Sequence, residues 1–186
     1  GDNVLTGVAI AKQCNILDGD AKEGRILIGD LSRETDDVVW SDSDTGEQGC
    51  IPVPGVDQLA VTQGAWRHLH SHREKLELIW EDIYVFARMK PEDKVNVTKY
   101  LQSHKLVVGM CGDGGNDCGA LRAAHAAMAL SEAEASMVSP FSSSRDSSSL
   151  ITVVDLIREG RACLATNLAT YSFFIVYAFT LTIGRL

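Results

Sequence analysis

The sequence predicts an α/β fold, a doubly wound parallel sheet followed by one long C-terminal helix. Three observations carry that expectation. Strand-like apolar runs alternate with helical segments between residues 58 and 130, the pattern of right-handed crossovers in a parallel sheet. A chain of 186 residues, 45% hydrophobic, can bury a proper core and favours one domain over two. From Leu150 to Phe174 no helix breaker but Gly160 intervenes, and Leu168 to Gly184 is mostly apolar and uncharged.

Asp2 and Asn3 can cap a helix over Val4 to Cys14, with Val4, Val8, Ile10 and Ala11 on one apolar face. RILIGDL (25–31) reads as a strand. Residues 32–57 are acidic and turn-rich, with DSDTGEQG and IPVPG, and read as a surface hairpin or loop insertion. A regular succession follows: strand 58–62, helix 65–79, strand 83–89, a helix from Pro91 to about 104, strand 105–110, helix 116–124 and strand 126–130. Such an order is Rossmann-like. SPFSSSRDSSS (139–149) reads as an exposed, serine-rich joint. Beyond it, a stalk helix from residue 150 is expected to run into a membrane span at the short edge of the length a bilayer needs.

The bulk numbers exclude some partners. With a formal charge of −8 and seventeen scattered Lys and Arg residues, the chain has no basic patch to draw it to a nucleic-acid backbone. Five cysteines without framework spacing fit a reducing compartment. The opening GDNVLTGVAIAKQC has no initiator Met and no signal-peptide pattern, so the chain reads as a piece of a longer polypeptide.

The chemistry concentrates in CGDGGNDCGAL (111–121). Asp113 falls just past a strand end, where ligands gather in open parallel sheets. Gly112, Gly114 and Gly115 allow sharp turns and close approach to an anion. Asn116 and Asp117 open the next helix, whose free N–H groups favour negative ligands. Two carboxylates beside a phosphate call for a hard cation between them, and Mg2+ takes carboxylate and phosphate oxygens together. The plainer alternative is a glycine-rich turn whose aspartates only cap the helix. FARMKPEDK (86–94) ends another strand, starts a helix at Pro91, and sets Lys94 where an ammonium can neutralise phosphoryl oxygens.

FARMKPEDK, GDGGND and the initial GDN, in this order and spacing, resemble the phosphorylation domain of P-type ATPases, in the haloacid-dehalogenase superfamily. The resemblance covers most of the chain and is weakest over 32–55. LSEAEAS (130–136) and Pro140-Phe141 are similar to subgroup B of the type V pumps, although Gly115 stands where alanine is expected. It implies that residues 1–149 are the C-terminal part of such a domain and that 150–186 are a stalk and the start of a transmembrane helix. It further implies Mg2+ and ATP as cofactors, with ATP engaged through the rest of the polypeptide. Asp113 is then the magnesium ligand, Asp117 supports the metal, and Lys94 pairs with the aspartyl phosphate. Asn116 orients a phosphoryl oxygen or water, Asp2 with Asn3 lies by the nucleotide phosphates, Arg88 supports them, and Gly112 and Gly114 admit them. The implied partners are a lipid bilayer and a transported cation, a polyamine in late endosomal, lysosomal or vacuolar membranes. Subgroup A, a translocase of the endoplasmic reticulum, is the alternative.

The nucleophile of that family belongs to a DKTGT sequence, which this chain does not contain. A soluble phosphatase and a non-catalytic membrane-tethered module are therefore kept as rival readings. His68, His70 and His72 read as exposed helix residues rather than a metal set. Cys111 and Cys118 read as small packing residues, Trp66 and Trp80 as core or rim aromatics, and Glu132 and Glu134 as part of a solvated turn.

Overall fold

The computed structural model describes residues 3–18, 24–32, 35–130, 137–143 and 150–185. The chain divides into two compact units, Gly1–Tyr100 and Leu101–Leu186. The described strands form a five-stranded and a three-stranded sheet.

In the first unit, β1 (Ile26–Leu31), β2 (Val38–Asp42), β3 (Gln48–Cys50), β4 (Gln58–Thr62) and β5 (Ile83–Ala87) are ordered β3-β2-β1-β4-β5. β1, β4 and β5 are parallel, while β2 and β3 extend the sheet as an antiparallel hairpin. This sheet is therefore mixed, where the sequence predicts a parallel one. Residues 26–28 of β1 and 59–61 of β4 are apolar and buried because helices cover both faces. Ile26, Ile28 and Ala60 pack with Val8 and Ala11 of α1 (Val4–Gln13). Leu27, Leu59 and Val61 point the other way, to Ala65, Trp66 and Leu69 of α2 (Gln63–Ser71). Trp66, 1% exposed, anchors that second core with Phe86 and Tyr100 edge-on to its ring. Truncating such an aromatic costs about 3–5 kcal/mol.

Several elements differ from expectation for local reasons. Asn3 makes no side-chain capping bond, Ile10 is exposed, and Asp2 lies outside the described residues. The helix expected over 65–79 breaks at His72 (φ −109, ψ 70) into α2 and α3 (Arg73–Glu77), and Trp80–Asp82 form a 3-10 turn. The His72 ring nitrogen and backbone N–H both engage the His68 carbonyl, closing α2 without glycine or proline. β5 stops at Ala87 because Arg88 adopts left-handed backbone (φ 54), and α4 (Pro91–Ser103) then begins with proline at its first position.

In the second unit, β6 (Gly109–Gly112), β7 (Ala126–Ala129) and β8 (Phe141–Ser142) are all parallel, in that order. α5 (Cys118–Ala123) packs Leu121 against Ala127 and Ala129. The strand expected at 105–110 is displaced: Lys105 takes left-handed backbone (φ 63), and Leu106 and Val107 are exposed in the connection. Part of the serine-rich joint is ordered as β8, with Ser139 Oγ donating to the Ala127 carbonyl at 2.8 Å; 144–149 lie outside the described residues, as do 131–136.

α6 (Ile151–Ile183) has 33 residues, about 50 Å at 1.5 Å per residue. It is long and apolar enough to cross a membrane. Its charges, Asp155, Arg158, Glu159 and Arg161, lie in the first third, and residues 162–184 have none. The apolar side chains Phe173, Phe174, Val176 and Phe179 are exposed, as suits lipid rather than water.

Candidate functional site

The expected site residues fall in both units, and each group has its own geometry. In the first unit, the C-terminal ends of β1, β4 and β5 border a cleft of about 500 Å³. Its lining includes Asn3, Asp30, Thr62, Gln63, Arg88 and Lys90. Asn3 and Arg88, named from sequence, thus share this cleft. Asp30, Thr62, Gln63 and Lys90 were not named, although each sits at or just past a strand end, the one signal that would have found them. Thr62 Oγ1 donates to Asp30 Oδ1 at 2.7 Å, linking β1 to β4, and accepts from the Ala65 N–H as the α2 cap.

Lys94 is half-buried on the first turn of α4. The residue before it, Asp93, is 2% exposed. Its carboxylate accepts from Gln63 Nε2 and, at 2.8 Å, from Arg67 Nε. Burial pushes the Asp93 carboxyl up, but the Arg67 and Gln63 hydrogen bonds and the guanidinium charge outweigh it and hold the group below the ordinary carboxylate range. Nothing in FARMKPEDK signalled a buried aspartate.

In the second unit, the loop after β6 carries Asp113, Asn116 and Asp117. Asp113 and Asn116 are exposed, and Asp117 is 7% exposed. A 3-10 turn, Gly115–Asp117, precedes α5, and Asp117 makes no capping hydrogen bond to that helix. The plain capping alternative therefore does not account for Asp117. α5 has six residues and starts two positions later than expected, so a helix-end charge contributes little here, contrary to the expectation from sequence.

Gly112 is needed for a close approach: a Cβ there would lie 2.6 Å from Asp117 Cβ and 2.8 Å from its Oδ2. Gly114 is extended (φ −132), and apart from its own chain neighbours no heavy atom among the described residues lies within 4 Å of where its Cβ would be. Left-handed turning is therefore not what Gly114 provides. The Cys111 thiol is pushed up by burial first, then by the Asp113 and Asp117 charges. An exposed and a buried carboxylate, four residues apart, thus stand on this loop; carboxylate oxygens are the donor type that Mg2+ takes alongside water and phosphate.

The histidines are not three exposed side chains. His68 and His72 stack with ring centroids 4.2 Å apart, His68 Nε2 lies 3.3 Å from Asp37 Oδ1, and His70 packs by Trp66 and Tyr100. Among the described residues no group of three or more His, Cys, Asp and Glu side chains could hold a metal.

The relatives of this α/β chain with its long apolar helix are named as transporting ATPases. In particular, the chain is 34% identical over 206 residues to the polyamine-transporting ATPase 13A3 of Mus musculus, covering 96% of this chain. It is also 34% identical over 191 residues to polyamine-transporting ATPase 13A2 of the same organism, covering 97% of this chain. The chain spans only 16% of the length of these curated relatives. Among solved structures, the catalytic domain of the CPx-ATPase CopB-B aligns at TM-score 0.36 and 19% identity, over 69% of this chain and 56% of that one. No protein-family model matches the chain.

Proposed function

We propose that this chain is the C-terminal part of the phosphorylation domain, with the first membrane-directed helix, of a P-type ATPase of type V, subgroup B. In this reading it supplies the metal- and phosphate-holding side chains of an aspartyl-phosphate site whose nucleophile lies elsewhere in the polypeptide. The observation that carries the reading is Asp117, buried against the Gly112 backbone without capping the helix it precedes, four residues after an exposed Asp113 at a strand end. The 34% identity to polyamine-transporting ATPases over nearly the whole chain supports the same assignment.

Asp113 and Asp117 would hold Mg2+, which when bound offsets charge on the phosphoryl oxygens. Lys94 neutralises phosphoryl oxygens as charge builds during transfer. Asn116 orients a phosphoryl oxygen or the attacking water. Arg88, Asn3 and Asp2 serve the nucleotide phosphates, and Gly112 and Gly114 leave their own loop's backbone open to an anion. The parallel runs β1-β4-β5 and β6-β7-β8 support a Rossmann-like, doubly wound scaffold with 32–57 as an insertion. α6 enters the bilayer and ties the site to a transport path for a polyamine-like cation, in a late endosomal, lysosomal or vacuolar membrane.

The test is Asp113→Asn in the full-length protein, with phosphoenzyme formation from labelled ATP measured against Mg2+ concentration. The expected outcome is a loss of roughly 100-fold, the scale of removing one charge-stabilising group. Phosphoenzyme at the unsubstituted level would remove Asp113 from the site.

A further inference from the structure

We infer that Asp93 is a positioning residue for Lys94, held by a clamp of two donors from α2. This rests on the phosphate-binding role proposed for Lys94. Gln63 and Arg67 stand four residues apart and so share one face of α2. They reach the two oxygens of a single carboxylate, Gln63 Nε2 to Oδ2 and Arg67 Nε to Oδ1 at 2.8 Å. Asp93 is the third residue of α4, and its N–H and that of Lys94 both donate to the Lys90 carbonyl at 3.0 Å. Adjacent helical residues are fixed at about 100° around the axis. Anchoring the Asp93 side chain at 2% exposure therefore sets both the rotation of the first turn and the direction in which Lys94 leaves it.

The architecture argues for geometry over stability. Only the Asp93 side of its ion pair with the half-exposed Arg67 is buried, and the desolvation of that carboxylate offsets much of the attraction, so the net gain in stability is small. What two directional donors on one carboxylate fix is orientation. Gln63 also lines the cleft at the strand ends, and Lys90, whose carbonyl starts α4, lines it too. The clamp thus joins the wall of that cleft to the turn bearing Lys94. An anion at Gln63 or Lys90 and the pose of Lys94 are mechanically linked through Asp93.

The experiment uses the full-length protein, with kcat and KM for ATP measured separately for Asp93→Asn, Arg67→Met, their combination, and Lys94→Ala. Asp93→Asn and Arg67→Met are each expected to lower kcat about tenfold per folded molecule, the scale of a small misplacement of a reacting group. KM for ATP stays within about twofold, and the combination is no worse than either single change, as for residues acting as one unit. An unchanged kcat in Asp93→Asn, or additive losses in the combination, overturns the inference. Should Asp93→Asn fail to fold, Gln63→Leu removes one donor only. A kcat loss of roughly twofold to fivefold is then expected, between no effect and the full misplacement, and none overturns it.

A second readout is independent of turnover. In the 186-residue chain in detergent, the Arg67 Nε–H should exchange slowly with solvent and lose that protection in Asp93→Asn; fast exchange in the unsubstituted chain also overturns the clamp. The Lys94→Ala control separates the two ideas. Turnover surviving Lys94→Ala defeats the proposed function itself. Turnover lost in Lys94→Ala but intact in Asp93→Asn defeats the clamp alone.

Discussion

Gly112 and Asp117 constrain each other. The nearest atom that an added methyl at position 112 would meet is Asp117 Cβ, at 2.6 Å, and that atom is tied to the backbone and cannot swing aside. Gly112→Ala must therefore move the Asp117 carboxylate or the loop bearing it, while Leu121, Ala127 and Ala129 keep the packing beneath it. In the full-length protein, Gly112→Ala is expected to raise the Mg2+ concentration for half-maximal turnover about tenfold or more, because sub-ångström errors at a metal and phosphate site are costly. Its circular dichroism should be unaltered. Mg2+ activation identical to the unsubstituted protein would mean that Asp117 has no part in holding the ion. In sequence, GDGGND reads as a phosphate loop because glycines allow close approach, whereas in the structure the approach at Gly112 is made by the protein's own Asp117.

The hairpin of β2 and β3 is the element whose weight the sequence concealed. Its acidic, turn-rich composition suits a surface insertion, and Ile51, in the connection beyond it, is indeed 81% exposed. Trp40 nevertheless turns inward from β2 to join the Trp66 core, directly opposite Gly29 of β1, and a Cβ at Gly29 would come within 2.8 Å of the indole ring. Trp40→Ala is expected to destabilise the chain by about 3–5 kcal/mol and Gly29→Ala by about 1–3 kcal/mol through overpacking. Combining them should cost less than the sum, because the methyl then enters space the indole has left. Urea denaturation in detergent checks this, and an effect of Trp40→Ala below about 0.5 kcal/mol, the surface range, would return the hairpin to the role of an excursion. Where periodicity and punctuation agree, as in β1, β4, α4 and α6, the sequence was legible. Where they do not, tertiary contacts decided. The LVV run at 106–108 has strand composition but lies in a connection begun by left-handed Lys105. The break at His72 comes from one imidazole bonding one carbonyl. Asp93 was hidden because charged residues in the first turn of a helix are ordinarily solvated, and only the fold brings Arg67 and Gln63 to it.

At the scale of the whole molecule, the proposed site has side chains to hold, neutralise and orient a phosphoryl group, but the sequence contains no DKTGT. Holding a phosphoryl group lowers a barrier only if some atom attacks phosphorus, and splitting hydrolysis into two steps through a covalent intermediate requires a nucleophile in place. The 186-residue chain, purified in detergent with Mg2+, is therefore expected to hydrolyse neither ATP nor p-nitrophenyl phosphate above the blank. The two substrates discriminate between readings. ATP needs the nucleotide-binding region that the pump assignment locates elsewhere, whereas p-nitrophenyl phosphate needs only a nucleophile, a metal site and a cation. Turnover of p-nitrophenyl phosphate that disappears in Asp113→Asn would make this chain a self-sufficient phosphatase, with the solvent-facing Asp113 as its attacking group. The uncharged residues 162–184 would then have no part in the chemistry. Inactivity toward both, together with recovery of ATP turnover when the chain is expressed within its full-length polypeptide, is the pair of results that the pump assignment requires.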